Sequence, residues 1–217
     1  MSPSAYLFVG AVAISAGFAM FAVARDDGPG FAFFKPLTTL IVLLGAGWLI
    51  QPGSQPYRGL VALGLALSLA GDVLLLPRLD RFTAGLAAFL LAYLAYLGAF
   101  TVGNPVVPGQ LLPLAPFLVA GAAVVRYLWS DLGRRRVPVL VYLTVVCAMG
   151  WRAATRGHAP GVTRASFVLA LAGACLLLAS DAIVAVRRFR HPSRAAHIVE
   201  LGLYWAAQLS IALSIRS

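Results

Sequence analysis

The chain has 217 residues, of which 61% are hydrophobic and only 11% charged, with 21 Gly and 13 Pro. Soluble domains run near a quarter charged, so a soluble enzyme, a disordered chain, a collagen-like repeat and a disulfide scaffold are excluded. A polytopic all-α membrane helix bundle remains, with mean hydropathy +0.89.

The net charge of +10 comes from 17 Lys and Arg against 7 Asp and Glu. No aromatic-and-basic motif accompanies it, so nucleic acid is not an expected partner. Basic residues beside helix ends set topology and meet lipid headgroups. Membrane lipids are the expected surroundings.

Eight apolar runs read as spans: 4–24, 36–51, 58–77, 82–103, 111–129, 137–155, 164–187 and 195–215. Together they predict one transmembrane helical domain over 1–217. The first run ends in Ala22-Val23-Ala24, the pattern of a signal-peptidase site. It is too long for a signal h-region and has no basic N-terminal flank, so it reads as a retained helix. The second run is short and marginal, with room to extend back into Phe31–Phe34. Lys35-Pro36 is read as its opening and Arg136-Val137-Pro138 as that of the sixth span. Cys147 and Cys175 lie inside apolar runs and read as small buried hydrophobes.

Counting loops from the first, the odd-numbered ones and their flanks hold twelve of the 17 basic residues. Arg58, Arg152, Arg156, Arg164 and Arg216 fall on the other side. The positive-inside rule then puts the odd loops in the cytoplasm of a multi-pass cell-membrane protein, with both termini outside. A weak internal repeat is visible. Ala70-Gly71-Asp72-Val73-Leu74 and Ala179-Ser180-Asp181-Ala182-Ile183 are each followed by basic residues and a Phe. A shift of four helices preserves direction, so two parallel four-helix repeats are expected.

The acids carry the chemistry. Asp26, Asp27, Asp80 and Asp131 read as loop residues, and Glu200 lies near the start of the eighth span. Asp72 and Asp181 alone lie well inside apolar runs, where a carboxylate costs several kcal/mol unless paired, wetted or protonated. Their spacing from Pro77 and Arg187 puts both roughly 8–9 Å inside the same membrane face. Two carboxyls sharing a cavity resist ionising together, leaving one donor and one carboxylate for acid–base work at a carbon–oxygen bond. Lys35 sits on the same side, followed by Thr38 and Thr39. Tyr93, Tyr204 and Gln208 fall at depths suited to hydrogen bonding rather than to an interfacial belt, and Tyr142 lies within the sixth span. His158, His191 and His197 have no metal-ligand spacing, and Walker and G-x-S-x-G motifs are missing. No metal or other cofactor is expected.

At these residues the chain resembles the YhhN family of lysoplasmalogenase-like integral membrane proteins, from about Lys35 to Gln208. The pieces are Lys35-Pro36-Leu37-Thr38, Gly71-Asp72-Val73-Leu74-Leu75, and Gly85 with Phe89, Tyr93, Tyr96 and Phe100. Tyr142 with Met149, Ser180-Asp181 with Ala185 and Phe189, and Tyr204 with Ala207-Gln208 complete them. One departure is that the family often has His where this chain has Tyr93. The resemblance implies hydrolysis of the vinyl ether bond of a lysophospholipid substrate, the lysoplasmalogen. It maps the family's catalytic acids onto Asp72 and Asp181. Lys35 and the arginines of the odd loops are then expected to hold the phosphate, and the other polar residues to bind substrate. A proton-coupled small-molecule or lipid transporter using the same two acids is the alternative.

Overall fold

The computed structural model describes residues 3–48, 55–79 and 81–215. Asp80 and Arg216 lie outside these. Among the described residues all regular structure is helical: α1 (Pro3–Ala24), α2 (Gly28–Trp48), α3 (Gln55–Leu74), α4 (Phe82–Thr101), α5 (Ala115–Leu128), α6 (Arg136–Thr155), α7 (Arg164–Phe189) and α8 (Arg194–Leu213). In lipid the backbone must satisfy its own hydrogen bonds, and helices do so within each segment. Seven of the eight are long and apolar enough to cross a membrane.

The short helix is α5, not α2 as the sequence suggests. α2 starts at Gly28, where the Asp27 carboxylate accepts the Gly30 amide at 2.9 Å, so Pro36 lies inside the helix rather than opening it. Two 3₁₀ turns rich in Pro precede α5 and leave it only 14 residues. α7 and α8 begin where the Thr163 and Ser193 hydroxyls accept the amides of Ser166 and Ala196.

The first helix buries small residues and turns large ones outward. α1 buries Ala5, Val12, Ala16, Ala19 and Ala22 while Leu7, Ile14, Phe18 and Phe21 are exposed. Lipid tails are as apolar as leucine, so close backbone packing rather than hydrophobic burial drives such association. The two most extensive helix contacts are α3 with α4 and α7 with α8, which are equivalent pairs under a shift of four. A Cβ on Gly71 of α3 would meet the Phe89 ring of α4 at 2.7 Å. One on Gly173 of α7 would meet Ile211 at 2.5 Å and the Ala207 carbonyl of α8 at 3.0 Å. Cys147 is buried, but Cys175 is exposed on α7, against the sequence expectation.

One end of the bundle is sealed by two arginines. Arg152 and Arg156, counted from the sequence as loop charges, are buried at the C-terminus of α6 and just beyond it. Neither has a carboxylate partner among the described residues. Arg152 donates to the Asn104 carbonyl and to the hydroxyls of Thr101 and Thr155, at 3.3 and 3.4 Å. The Arg156 guanidinium lies 3.9 Å from the Tyr57 ring centroid and donates to Ser166 Oγ at 2.8 Å. Arg152→Met leaves those acceptors unpaired and is expected to cost about 1–3 kcal/mol, lowering the thermal midpoint in detergent. Arg164→Met, at an exposed position, leaves the midpoint unchanged. Equal midpoints for the two variants would contradict a sealing role.

Candidate active site

The opposite end, where the α3–α4, α5–α6 and α7–α8 connections lie, opens into a cavity of about 650 Å³. Its wall is largely apolar, with Leu86, Phe89, Val146 and Leu178 among the lining residues. Lys35, Asp72, Tyr142, Asp181, Glu200 and Tyr204 break that surface with polar groups. Five elements contribute them, from α2 through α8.

Asp72 is 1% exposed. Its Oδ2 accepts the Thr39 hydroxyl at 2.6 Å and the Tyr204 phenol at 2.9 Å, and Lys35 Nζ lies 3.5 Å from Oδ1. Trp205 Nε1 donates to Thr39 Oγ1 at 3.2 Å, which leaves the Thr39 proton to serve Asp72. An ammonium and two hydroxyls around one carboxyl suit its ionised form. Lys35 and Thr39 are four residues apart on α2 and so share a face.

Asp181 is more sparely served. The Tyr142 phenol donates to its Oδ2 at 3.1 Å, and no cation pairs with it among the described residues. Glu200 is within electrostatic reach of both Asp181 and Asp72. Glu200 is itself buried and ion-paired with Arg187, and its backbone carbonyl accepts the Ser180 hydroxyl at 3.1 Å. The cavity thus has three acids: one ringed by donors, one held by a single phenol, and one tied to an arginine.

Of the other sequence candidates, Thr38 and Gln208 sit elsewhere and Tyr93 adjoins the Asp181 end of the site. Thr38 faces α1: its hydroxyl donates to the Phe34 carbonyl of its own helix and contacts Ser15 Oγ of α1 at 2.7 Å. Gln208 accepts from Tyr96 at 2.6 Å and donates to Ser68 at 3.0 Å, cross-linking α3, α4 and α8 behind the cavity. Tyr93 is fully buried, its ring 5.5 Å from that of Tyr142; its hydroxyl makes no hydrogen bond of good geometry among the described residues but lies within electrostatic reach of Asp181 and Tyr142. The sequence reading names Thr39 and Glu200 but gives neither a site role. Both were signalled by spacing: Thr39 lies at i+4 from Lys35, and Glu200 starts an i, i+4, i+8 stripe through Tyr204 to Gln208. Among the described residues no cluster of His, Cys, Asp and Glu could hold a metal.

The sequence profile of the YhhN family matches residues 30–215. A human protein named lysoplasmalogenase TMEM86B is 32% identical over 197 residues, covering 88% of this chain and 78% of its own. The Escherichia coli O6:H1 membrane protein YhhN is 33% identical over 187 residues, covering 84% and 85%. A Mycobacterium bovis protein named lysoplasmalogenase is 30% identical over 191 residues, covering 84% and 70%. No solved structure matches the chain. A profile match across most of the sequence, together with these relatives, makes this chain a member of the YhhN family of membrane proteins.

Proposed function

We propose that this protein is a lysoplasmalogenase-like hydrolase that cleaves the vinyl ether bond of a lysoplasmalogen. The products are a fatty aldehyde and glycerophospho-ethanolamine or -choline. The observation that carries the reading is an apolar, chain-sized cavity with Asp72 and Asp181 on its wall in differently equipped surroundings. The lysoplasmalogenase names of its relatives point to the same class of reaction.

The two surroundings divide the work. Asp181, with one phenol donor and no cation, is the neutral acid. It protonates the β-carbon of the vinyl ether, and the π electrons form that C–H bond while the ether oxygen stabilises the resulting oxocarbenium ion. Asp72, held ionised by Lys35, Thr39 and Tyr204, takes a proton from the water that adds to the cationic carbon. The hemiacetal then collapses. Its hydroxyl proton returns to Asp181, Asp72 delivers its proton to the glycerol oxygen, and the carbon–oxygen bond to glycerol breaks. Both acids end as they began, with one water consumed. Tyr142 orients Asp181, and Tyr93 packs edge-on against the Tyr142 ring with its hydroxyl within electrostatic reach of Asp181. Lys35 in this scheme serves Asp72 rather than the phosphate.

Asp72→Asn and Asp181→Asn are each expected to lower aldehyde release from lysoplasmalogen in detergent by at least about a hundredfold while the folded yield is kept. Aldehyde formed without any ion gradient separates this reading from a proton-coupled transporter, and full activity in both variants would contradict it. Lys35→Met leaves a buried carboxylate without its cation and is expected to cost about 3 kcal/mol of stability. Adding Asp72→Asn to Lys35→Met should recover most of that loss in thermal unfolding; a further loss would show that the pair is not coupled.

A further inference from the structure

We propose that Arg81, Arg135 and Arg188 form an anion site at the cavity mouth that holds the phosphate of a single-chain phospholipid, with the chain running inward. The inference rests on the lysophospholipid reading above and goes beyond it in saying which cations do the holding. At this end of the bundle four cations are already paired with acids. Lys35 pairs with Asp72, Arg187 with Glu200, Arg190 with Asp131 and Arg194 with Asp26. Arg81, Arg135 and Arg188 line the cavity and have no carboxylate within ion-pair distance among the described residues.

Their setting suits a phosphate. The Arg188 guanidinium lies over the Phe82 ring at 4.5 Å and that of Arg135 over the Phe189 ring at 5.9 Å. Both rings line the same cavity. A guanidinium stacked on a ring keeps its N–H edge free for a bidentate contact to phosphate oxygens. The three arginines come from the α3–α4 connection, the turn before α6 and the end of α7, so they converge on one opening. Arg188 is seven residues beyond Asp181, on the same face of α7 and about 10 Å along its axis. Glycerol separates the phosphate of a lysoplasmalogen from its vinyl ether by only a few bonds. A phosphate at the arginines therefore sets the reacting bond beside the acids, and the alkenyl chain meets the apolar wall.

The test compares 1-alkenyl-glycerophosphoethanolamine with the 1-alkenylglycerol that lacks the phosphate, in lipid-free detergent. For wild type the phosphorylated substrate has the higher kcat/KM. In Arg188→Gln and in Arg135→Gln the ratio of the two kcat/KM values falls about tenfold, mainly through KM for the phosphorylated substrate. Arg164→Gln, at the other end of the bundle, keeps the wild-type ratio. An unchanged ratio in both rim variants overturns the site. A binding arm separates failure of the site from failure of the proposed reaction. Lysophosphatidylethanolamine should raise the thermal midpoint of wild type more than a monoacylglycerol of equal chain length, and the rim variants should lose that difference. If wild type turns over neither vinyl ether but shows this binding difference, the anion site stands and the reaction does not. If the midpoints do not differ, or if the rim variants lose stabilisation by two-chain phosphatidylglycerol to the same extent, the arginines are headgroup anchors and the proposal fails.

Discussion

The contact on which the rest of the structure depends is the seating of the Asp72 carboxyl. A charge at that depth is tolerated only with partners. Lys35 and Thr39 come from α2, and Tyr204 from α8, with Trp205 fixing the Thr39 hydroxyl from one residue further on. The consecutive helices α2 and α3 are thereby joined at one point to α8, at the far end of the chain. The close approach of α3 to α4 at Gly71 and of α7 to α8 at Gly173 then sets the two walls between which the cavity opens.

The two ends of the bundle are built on opposite terms. At one, Arg152 and Arg156 are buried without acids and satisfied by a carbonyl, hydroxyls and an aromatic face, which closes the end. At the other, three acids and several arginines surround an opening with an apolar interior. That polarity suits an amphiphile whose charged group stays at the rim while its chain enters. It also gives Asp72 and Asp181 different tasks, because one sits among an ammonium and two hydroxyls and the other has a single phenol.

Much of this was legible in the sequence. A helical membrane bundle follows from composition, and two acids inside apolar runs stand out at once. Which face a residue occupies was harder to read, because helices that are apolar nearly all round carry little amphipathic signal. One step along a helix turns a side chain by about 100°. That step separates Thr38, facing Ser15 of α1, from Thr39, facing Asp72. Gln208 and Tyr93 lie at suitable depths, yet Gln208 is engaged by Tyr96 and Ser68, while Tyr93 packs against Tyr142 beside Asp181. From the sequence Glu200 is only a charge near the start of the eighth span. Its burial depends on Arg187 of α7, a contact that no local pattern shows. The same holds for Arg152, whose partners Thr101 and Asn104 lie 51 and 48 residues away.

The central claim is that a carboxylic acid in the cavity protonates the β-carbon of a vinyl ether. Hydrolysis in heavy water tests it most directly, with the aldehyde trapped at once by reduction. Delivery from Asp181 inside a fixed cavity predicts a single deuterium, in one configuration, on the carbon next to the former carbonyl. Deuterium in both configurations would mean that an enol leaves the protein and picks up its proton in bulk water, which contradicts the account.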